Sequence, residues 1–249
     1  MQNPESKWFG EKEIKDGEKT DLVRGVFDSV APKYDIMNDL MSAGVHRLWK
    51  RRLISQIRPR KGKAYLDVAG GTGDIAFRIR EAIGEKSDIT LCDINDEMLE
   101  VGQQRAINRG WLNEFEWVTS DAAELPFEDN RFDVYTISFG LRNVTRIDDA
   151  LKEAHRVLKP GGRFYCLEFS RVQDPTFAKL YDLYSFNVIP RIGQAVAKDA
   201  ESYQYLVESI RKHPDQKALA RRMRAAGFEN VGYDNLNHGI AAIHRGWKS

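Results

Sequence analysis

The sequence contains few of the residues that mark an extracellular, metal-binding or membrane-spanning protein. It has two cysteines and five histidines in 249 residues, and none stands at the spacing of a disulfide framework or a zinc site. No apolar run approaches the ~20 residues that span a bilayer. The N-terminal segment mixes acids and bases without an apolar stretch, so we expect neither a signal nor a transit peptide. These absences predict a cytoplasmic chain with reduced thiols and no bound metal.

The net charge of the chain is close to zero. Lys and Arg total 38 against 37 Asp and Glu, which gives a net charge of +1. Proteins that bind nucleic acid usually carry a clear basic excess, so we expect no nucleic-acid partner. Hydrophobic residues make up 42% of the chain, enough for a sizeable core in one domain with an added subdomain.

Short apolar runs alternate with amphipathic helical stretches from Lys63 onward. Predicted strands cover 64–69, 88–92, 115–120, 131–139 and 163–169. This alternation is typical of an α/β, doubly wound, Rossmann-like fold with a mostly parallel sheet. After Ser170 the pattern predicts a helical insertion over 171–224, followed by two closing strands in an antiparallel hairpin. We assign residues 1–60 to an N-terminal helical extension or lid and residues 61–249 to the main domain.

A glycine-rich loop, D-V-A-G-G-T-G-D at 67–74, follows the first predicted strand. Glycines between a strand and a helix allow a close approach of backbone to ligand, and an acid after the next strand can hold a ribose. Three interpretations stay open, namely a structural turn, a dinucleotide site and an S-adenosylmethionine site. Asp67 favours the last, because a carboxylate repels pyrophosphate and attracts an ammonium or sulfonium, although it could also be a buried partner for loop N–H groups. The predicted cofactor residues of this loop are Asp67, Gly70, Gly71, Thr72 and Gly73.

Two further segments strengthen the third interpretation. S-D-A-A-E-L-P-F-E-D-N-R-F-D at 120–133 puts Asp121 at the end of the third predicted strand, where it could meet an adenine amino group. H-R-V-L-K-P-G-G at 155–162 ends a helix and turns into the fifth strand. In this order and spacing, the three segments resemble the class I S-adenosylmethionine-dependent methyltransferases.

Other motifs narrow the resemblance to one family. They are K-Y-D-I-M-N-D-L-M-S, H-R-L-W-K-R, T-I-S-F-G-L-R-N-V, L-Y-S-F-N-V-I-P-R-I-G and Y-L-V-E-S-I-R-K-H-P-D-Q. With A-G-G-T-G-D they resemble the ubiquinone/menaquinone biosynthesis C-methyltransferase family from Asp21 to Trp247. The resemblance implies methyl transfer to a ring carbon of a polyprenylated benzoquinol or demethylmenaquinol. It also implies cofactor contacts at Thr72, Asp93, Asp121, Ala122 and Ser138, to which we add Ile94 beside Asp93.

S-F-G-L-R-N-V at 138–144 offers an arginine and an amide at the mouth of the sheet, with no cysteine, histidine or glutamate beside them. A hydroquinol needs no protein nucleophile, because its ionised form attacks the methyl group directly. If its pKa is near the ~10 of tyrosine, ionisation at pH 7 costs about 4 kcal/mol, which a fixed cation can lower. We therefore expect Arg142 to stabilise the phenolate and Asn143 to orient a quinol oxygen. The proton would pass to a water, or to a carboxylate such as Asp121 acting through a water. Alternatively, Arg142 pairs with a neighbouring acid and pins the loop.

The remaining expectations concern substrate and partners. Tyr34 and Asn38 could fold over the cofactor, and Tyr181 and Tyr184 could line a quinone slot, although capping or core packing would explain them equally well. The basic stretch 46–52 is either a solvated helix face or a contact with anionic lipid on the inner face of a membrane. We also expect a homodimer or association with other enzymes of quinone biosynthesis. The rival functions are methyl transfer to another lipophilic acceptor, such as a sterol or phospholipid amine, and a dinucleotide-binding oxidoreductase.

Overall fold

A seven-stranded sheet forms the centre of the protein. The computed structural model describes residues 8–9, 12–13, 42, 44–173 and 200–249. The strands of the sheet are β3 (Ala64–Val68), β4 (Asp88–Asp93), β5 (Glu116–Thr119), β6 (Phe132–Ser138), β7 (Leu158–Phe169), β8 (Glu229–Leu236) and β9 (Ala241–Trp247). A separate antiparallel pair consists of β1 (Trp8–Phe9) and β2 (Lys12–Glu13).

The helices that surround the sheet are α1 (His46–Ile57), α2 (Asp74–Ile83), α3 (Asp96–Asn108), α4 (Ile147–Val157), α5 (Ala200–Lys212) and α6 (Gln216–Ala225). Short 3₁₀ turns lie at Leu141–Asn143 and Asn237–Gly239. No helix in the described ranges is long and apolar enough to cross a bilayer.

The strand order is β5-β4-β3-β6-β7-β9-β8. Strands β3 to β7 run parallel, whereas β9 is antiparallel to both β7 and β8. The predicted doubly wound α/β sheet, mostly parallel with a C-terminal antiparallel hairpin, is confirmed. The direction of winding reverses between β3 and β6, and ligands of such sheets bind in the crevice at this point, beyond the carboxyl ends of the strands.

Two hydrophobic clusters cover the two faces of the sheet. Successive residues of a strand alternate between them, so Tyr65 packs in the cluster with α1, α2 and α3, and Leu66 packs in the cluster with α4 and α6. This period of two on strands buried on both faces explains why the strands were predictable as apolar runs.

The structure differs from the sequence prediction at β7 and in the N-terminal segment. Strand β7 begins at Leu158 rather than at 163, because Leu158 pairs with Phe132 before a bulge that ends at the Val134 and Arg163 pair. Within the predicted insertion, the described residues form α5 and α6, and residues 174–199 lie outside the described part of the chain. The predicted helical extension contains the β1/β2 pair, and α1 packs its Trp49, Leu53 and Ile57 into the core of the sheet. A lid over the cofactor stays a prediction.

Both cysteines are buried and free. Burial raises the pKa of the Cys92 and Cys166 thiols, so neither thiol is prepared to act as a nucleophile. Within the described ranges no group of three or more His, Cys, Asp or Glu is arranged to hold a metal ion.

Candidate active site

A cavity of about 1080 Å³, partly open to solvent, lies at the carboxyl ends of the parallel strands. It is bordered by the segments that follow β3, β4, β5 and β6, at the point where the winding reverses. Most of the predicted cofactor residues line it. They are Asp67, Gly70, Gly71, Thr72, Asp93, Ile94, Asp121, Ala122 and Ser138. Gly73 does not line the cavity; it forms the left-handed N-cap of α2.

The glycine loop is held against the end of β4. Gly71 has φ +50°, a conformation that a side chain would strain. A Cβ built on it would lie 2.9 Å from the terminal methyl of Met98, which would have to move. The Gly71 N–H donates to Asp93 Oδ2 over 2.8 Å. The loop therefore keeps its backbone close to whatever occupies the cavity.

Asp93 ends β4 and organises two segments at once. Besides the bond from Gly71, its Oδ1 accepts from the Asn95 N–H at 3.0 Å, and Asn95 in turn caps α3 by accepting from the Met98 N–H. Burial raises the pKa of Asp93, although hydrogen bonds from Asn95, Gly71 and Ile94 oppose that change. These hydrogen bonds hold the Asp93 carboxylate at the cavity wall, where an acid can accept hydrogen bonds from ribose hydroxyls.

Asp67 lies under the loop, fully buried beside β6. Its Oδ1 accepts from the Thr136 hydroxyl at 2.7 Å. Burial raises the pKa of Asp67 to about 7, and hydrogen bonds from Thr136 and the Ala76 backbone counteract part of the effect. A cationic ligand group near this carboxyl would favour its ionised form. Asp67 therefore suits an ammonium or sulfonium better than a phosphate.

Thr72 and Ser138 carry hydroxyl groups that can bind a ligand. Thr72 accepts from Arg105 Nη1 at 2.8 Å, which leaves its own O–H as a donor. Ser138 Oγ is buried and makes no hydrogen bond within the described part of the chain. Because buried polar groups are normally satisfied, this atom indicates a polar ligand group at the end of β6. The donors and acids together fit S-adenosylmethionine.

Asp121 follows β5 and borders the far end of the cavity. Its Oδ1 accepts from the Ala123 N–H at 2.9 Å, and its Oδ2 lies 3.6 Å from Arg146 Nη2. About a third of the side chain is exposed, 32%. This carboxylate can meet an adenine amino group. Since β5 lies three strands from β6, the ends of these two strands are on the order of 14 Å apart.

Both strands at the reversal point end in a residue with positive φ. Ala69 follows β3 with φ +49°, and Phe139 follows β6 with φ +57°. Such angles are uncommon for residues other than glycine. The Phe139 ring packs between Trp49 and Phe169, at centroid distances of 6.3 and 5.0 Å, and this packing holds the turn. The chain then leaves the sheet through Gly140 into the 3₁₀ turn that carries Arg142 and Asn143.

Arg142 does not line the cavity. Its side chain is 0% exposed and its Nη1 lies 2.8 Å from Glu168 Oε1, while the same nitrogen donates to the Phe139 carbonyl. Arg142 thus makes the ion pair that the sequence left open as the alternative to a direct catalytic role. Its Nε and Nη2 have no hydrogen-bond partner among the described residues. Burial raises the pKa of Glu168, and Arg142 opposes that rise.

Asn143 does line the cavity. Its Oδ1 accepts from the Tyr205 hydroxyl of α5 at 3.3 Å, which leaves the amide NH₂ as the group that can donate to a ligand. Burial raises the pKa of Tyr205, so this hydroxyl stays protonated and keeps its role as donor. The predicted substrate residues Tyr34, Asn38, Tyr181 and Tyr184 lie outside the described residues.

The sequence prediction missed two charged residues of the cavity. Lys50 on α1 and Asp74 at the start of α2 line it, and Lys50 Nζ lies 2.6 Å from Asp74 Oδ2. The stretch 46–52 looked like a solvated basic face, but Lys50 occupies the buried stripe of α1 with His46, Trp49, Leu53 and Ile57. The spacing of these positions, at i, i+3, i+4, i+7 and i+11, was the available signal.

The chemistry available in the cavity is limited by its residues. No cysteine, histidine or glutamate is among the described residues that line it, so the serine and threonine hydroxyls of this lining have no histidine beside them to activate them as nucleophiles. Its described lining supplies acids, hydroxyls, two amides and one ammonium at fixed positions. Such a site accelerates reaction by holding two ligands in alignment.

Comparison with known proteins agrees with this geometry. The family model described as the ubiE/COQ5 methyltransferase family matches residues 13–248. The chain is 58% identical over 242 residues to the ubiquinone/menaquinone biosynthesis C-methyltransferase UbiE of Brucella abortus (strain S19), covering 96% of this chain and 90% of that protein.

Solved structures share the fold at much lower identity. The cyclase SpnF has a TM-score of 0.65 and 18% identity, with 91% of this chain and 94% of that chain covered. A phosphoethanolamine N-methyltransferase of Haemonchus contortus, solved with S-adenosyl-L-methionine, has a TM-score of 0.58 and 14% identity, with 80% and 52% covered. Because a cyclase and a methyltransferase share this architecture, the fold by itself does not fix the reaction.

Proposed function

The chain belongs to the ubiE/COQ5 methyltransferase family, and on that premise we propose that it methylates a ring carbon of a polyprenylated benzoquinol or demethylmenaquinol in ubiquinone and menaquinone biosynthesis. Its cofactor is S-adenosylmethionine. The observation that carries the choice of acceptor is the identity of 58%, sustained over 96% of the chain, to a C-methyltransferase of both quinone pathways.

The cofactor supplies a methyl group on a positively charged sulfur, and the acceptor supplies the electron pair of the new carbon–carbon bond. As that bond forms, the sulfur–methyl bond breaks, and one proton leaves the ring carbon so that the ring regains its aromaticity. The residues of the cavity hold the two ligands in line. Asp93 holds the ribose, Asp121 and Ala122 hold the adenine, and Asp67 faces the cationic groups.

Ionisation of the acceptor hydroxyl is the step that the segment after β6 would assist. The Asn143 amide, kept in position by Tyr205, donates to a quinol oxygen. Arg142 lies one residue earlier, and two of its guanidinium nitrogens have no hydrogen-bond partner among the described residues. The Arg142 guanidinium, held in orientation by Glu168, lowers the free energy needed to ionise the acceptor hydroxyl. The predicted role of Asp121 as proton acceptor does not fit its place at the adenine end of the cavity, so a water accepts the proton.

The charge of the cavity favours a methyltransferase over a dinucleotide-binding oxidoreductase. Four acids line it against one described cation, and a pyrophosphate in the glycine loop would face the buried carboxyl of Asp67. The sulfonium and ammonium of S-adenosylmethionine are instead attracted by these acids.

Methyl transfer can be tested with radiolabelled S-adenosylmethionine and short-prenyl demethylated quinols. Benzoquinol and naphthoquinol substrates are assayed separately, each in its reduced and oxidised forms. We expect label on a ring carbon of the reduced forms only, because the oxidised ring has no hydroxyl to ionise. Transfer to a sterol or an amine, with none to either quinol, would contradict the acceptor.

We further propose that the protein contacts an anionic lipid surface through the outer face of α1. The segment 43–66 contains no acid. Arg51 and Arg52 on α1, and Arg58 and Arg60 just after it, are exposed and make no ion pair within the described ranges. Leu48, one helical turn before Arg51 and Arg52, is 58% exposed. Basic side chains around an apolar one are suited to anionic headgroups. A prenylated acceptor resides in lipid, so the contact would shorten its path to the cavity.

The lipid contact can be tested by vesicle flotation. We expect binding to vesicles that contain phosphatidylglycerol, little binding to pure phosphatidylcholine, and loss of binding at high salt. Arg51→Gln/Arg52→Gln should weaken flotation, whereas the matched change Arg221→Gln, on the exposed side of α6, should not. Equal flotation of all three proteins would contradict the assignment. A cytoplasmic location at the inner face of a membrane, and assembly with a second copy or with other enzymes of the pathway, stay predictions.

A further inference from the structure

Lys50 brings a buried positive charge to the wall of a cavity that is otherwise acidic. Asp67, Asp74, Asp93 and Asp121 line the cavity, and Lys50 is the one cationic side chain among its described lining residues. The Lys50 side chain is 4% exposed. Buried charges are normally paired or bind a ligand, so its surroundings define what it can do.

The pairing of Lys50 leaves positive charge to spare. Its ammonium has three donors, and Asp74 Oδ2 receives one of them at 2.6 Å. Asp74 is shared, because Arg78 Nε donates to its other oxygen at 2.7 Å. Burial raises the pKa of Asp74, but Lys50 and Arg78 outweigh that effect and lower it below its ordinary value. Two cations on one carboxylate leave this cluster with a surplus positive charge.

The position of Lys50 identifies the end of the cavity that it serves. Its Nζ lies 5.8 Å from the centroid of the Phe139 ring, and Phe139 follows Ser138, whose hydroxyl has no partner among the described residues. This is the end opposite to Asp121. With the adenine at Asp121 and the ribose at Asp93, the amino-acid part of the cofactor reaches the Lys50 end.

That amino-acid part carries one negative group, and the cavity offers it one partner of opposite charge. A carboxylate near Asp67 and Asp74 is repelled by both unless a cation lies between them. We propose that Lys50 forms the subsite for the carboxylate of S-adenosylmethionine, donating from its ammonium to a carboxylate oxygen. This inference rests on the proposed function and adds a cofactor residue from α1, outside the glycine loop and the strand ends.

The test compares two cofactors that differ only in that carboxylate. Calorimetry gives the Kd of S-adenosylmethionine and of decarboxylated S-adenosylmethionine, which keeps the sulfonium and the amine. The wild type should bind the carboxylated form more tightly. Lys50→Met should weaken it about 10- to 100-fold, the range of a charge-assisted hydrogen bond, and should leave the decarboxylated form within a few-fold. The ratio of the two Kd values, decarboxylated over carboxylated, should therefore fall towards one in Lys50→Met.

Two matched variants isolate the role of the ammonium. Lys50→Arg keeps the charge and should keep most of the ratio. Arg51→Met removes a cation from the exposed face of the same helix and should leave the ratio near its wild-type value. If Lys50→Met does not fold, Lys50→Gln in the same comparison decides the question. A ratio unchanged in the folded Lys50 variant, or an equal loss for both ligands, would overturn the subsite, whereas a wild type that binds neither ligand would overturn the proposed function itself.

Discussion

The Arg142 guanidinium and the Glu168 carboxylate form an ion pair in which the side chains are 0% and 1% exposed, with Nη1 2.8 Å from Oε1. Glu168 also accepts from the Phe169 N–H at 2.8 Å and from the Arg142 N–H at 3.3 Å. The pair therefore joins the end of β7 to the 3₁₀ turn after β6. It fixes the turn that carries Asn143 to the cavity.

Removing the arginine alone should destabilise the fold. Arg142→Met leaves the Glu168 carboxyl buried without its partner, and breaking a buried pair in this way costs about 3–5 kcal/mol. Urea unfolding measures the loss. Arg142→Met/Glu168→Gln should recover most of it, since no charge is then left unpaired.

The double variant also separates structure from chemistry. If the Arg142 guanidinium assists ionisation of the acceptor, the stable double variant should still bind S-adenosylhomocysteine normally. Its methyl transfer should be at least ~10-fold slower than that of the wild type, equivalent to about 1.4 kcal/mol in the barrier. Wild-type turnover in a stable double variant would restrict Arg142 to pinning the turn.

Asp93→Asn should impair cofactor binding. The neutral amide replaces a carboxylate that accepts from Gly71 and Asn95, and hydrogen bonds to charged groups contribute about 1.5–3 kcal/mol. We expect S-adenosylhomocysteine to bind about 10- to 100-fold more weakly by calorimetry. Asp96→Asn, three residues along and exposed, is the control. Unchanged affinity in Asp93→Asn would mean that Asp93 organises the loop without touching the ligand.

Asp67 predicts a pH dependence of stability. Its pKa in the folded protein is about 7, above the ordinary value of ~3.9, so the folded state binds this proton more tightly than the unfolded state. The stabilising contribution is full below pH ~4 and is lost as pH rises to about 7, with a slope near 1.4 kcal/mol per pH unit.

The measurement is the unfolding free energy of the wild type and Asp67→Asn between pH 4 and 8. The asparagine lacks the ionisation, so the difference in favour of the variant should grow as pH rises and then level off above pH 7. Contributions of the other buried acids are common to both proteins and cancel. A difference independent of pH would show that Asp67 is already ionised at pH 4.

Gly140→Ala should disrupt the cavity by a collision between two turns. A Cβ built on Gly140 would lie 2.3 Å from the Ala69 Cβ, far inside van der Waals contact. The change should reduce both thermal stability and cofactor affinity. Ala69→Gly removes the other Cβ and suits the φ of +49°, so Gly140→Ala/Ala69→Gly should recover much of the loss. Failure of this rescue would mean that the backbone of Gly140, not its contact with Ala69, is what the site requires.

The sheet and the acids at its edge were predictable because the strands are buried on both faces and end in polar residues. Asp93, Asp121 and Ser138 each follow an apolar run, and parallel strands bring their carboxyl ends to one edge. The direction of the Arg142 side chain was not predictable. Its partner Glu168 is 26 residues away on β7, and only the tertiary pairing of β6 and β7 brings them together.

Lys50 shows the other limit of the sequence. Of the seven residues from His46 to Arg52, four are Lys or Arg, and this density of positive charge suggested a solvated helix face. The interpretation is wrong for Lys50, which lies on the stripe of Trp49 and Leu53, whereas Arg47, Arg51 and Arg52 are exposed. The presence of Asp74 opposite Lys50 depends on how α1 packs against α2.

The most direct test of the proposed function is the position of the transferred methyl group. Wild-type protein is incubated with radiolabelled S-adenosylmethionine and reduced, short-prenyl demethylated quinols, and the lipid product is analysed by mass spectrometry and NMR. Label on a ring carbon of a benzoquinol or naphthoquinol, absent with the oxidised quinone and strongly reduced in Asp93→Asn, is the predicted result. Bound cofactor with label on a quinol oxygen, on another lipid or on none would contradict it.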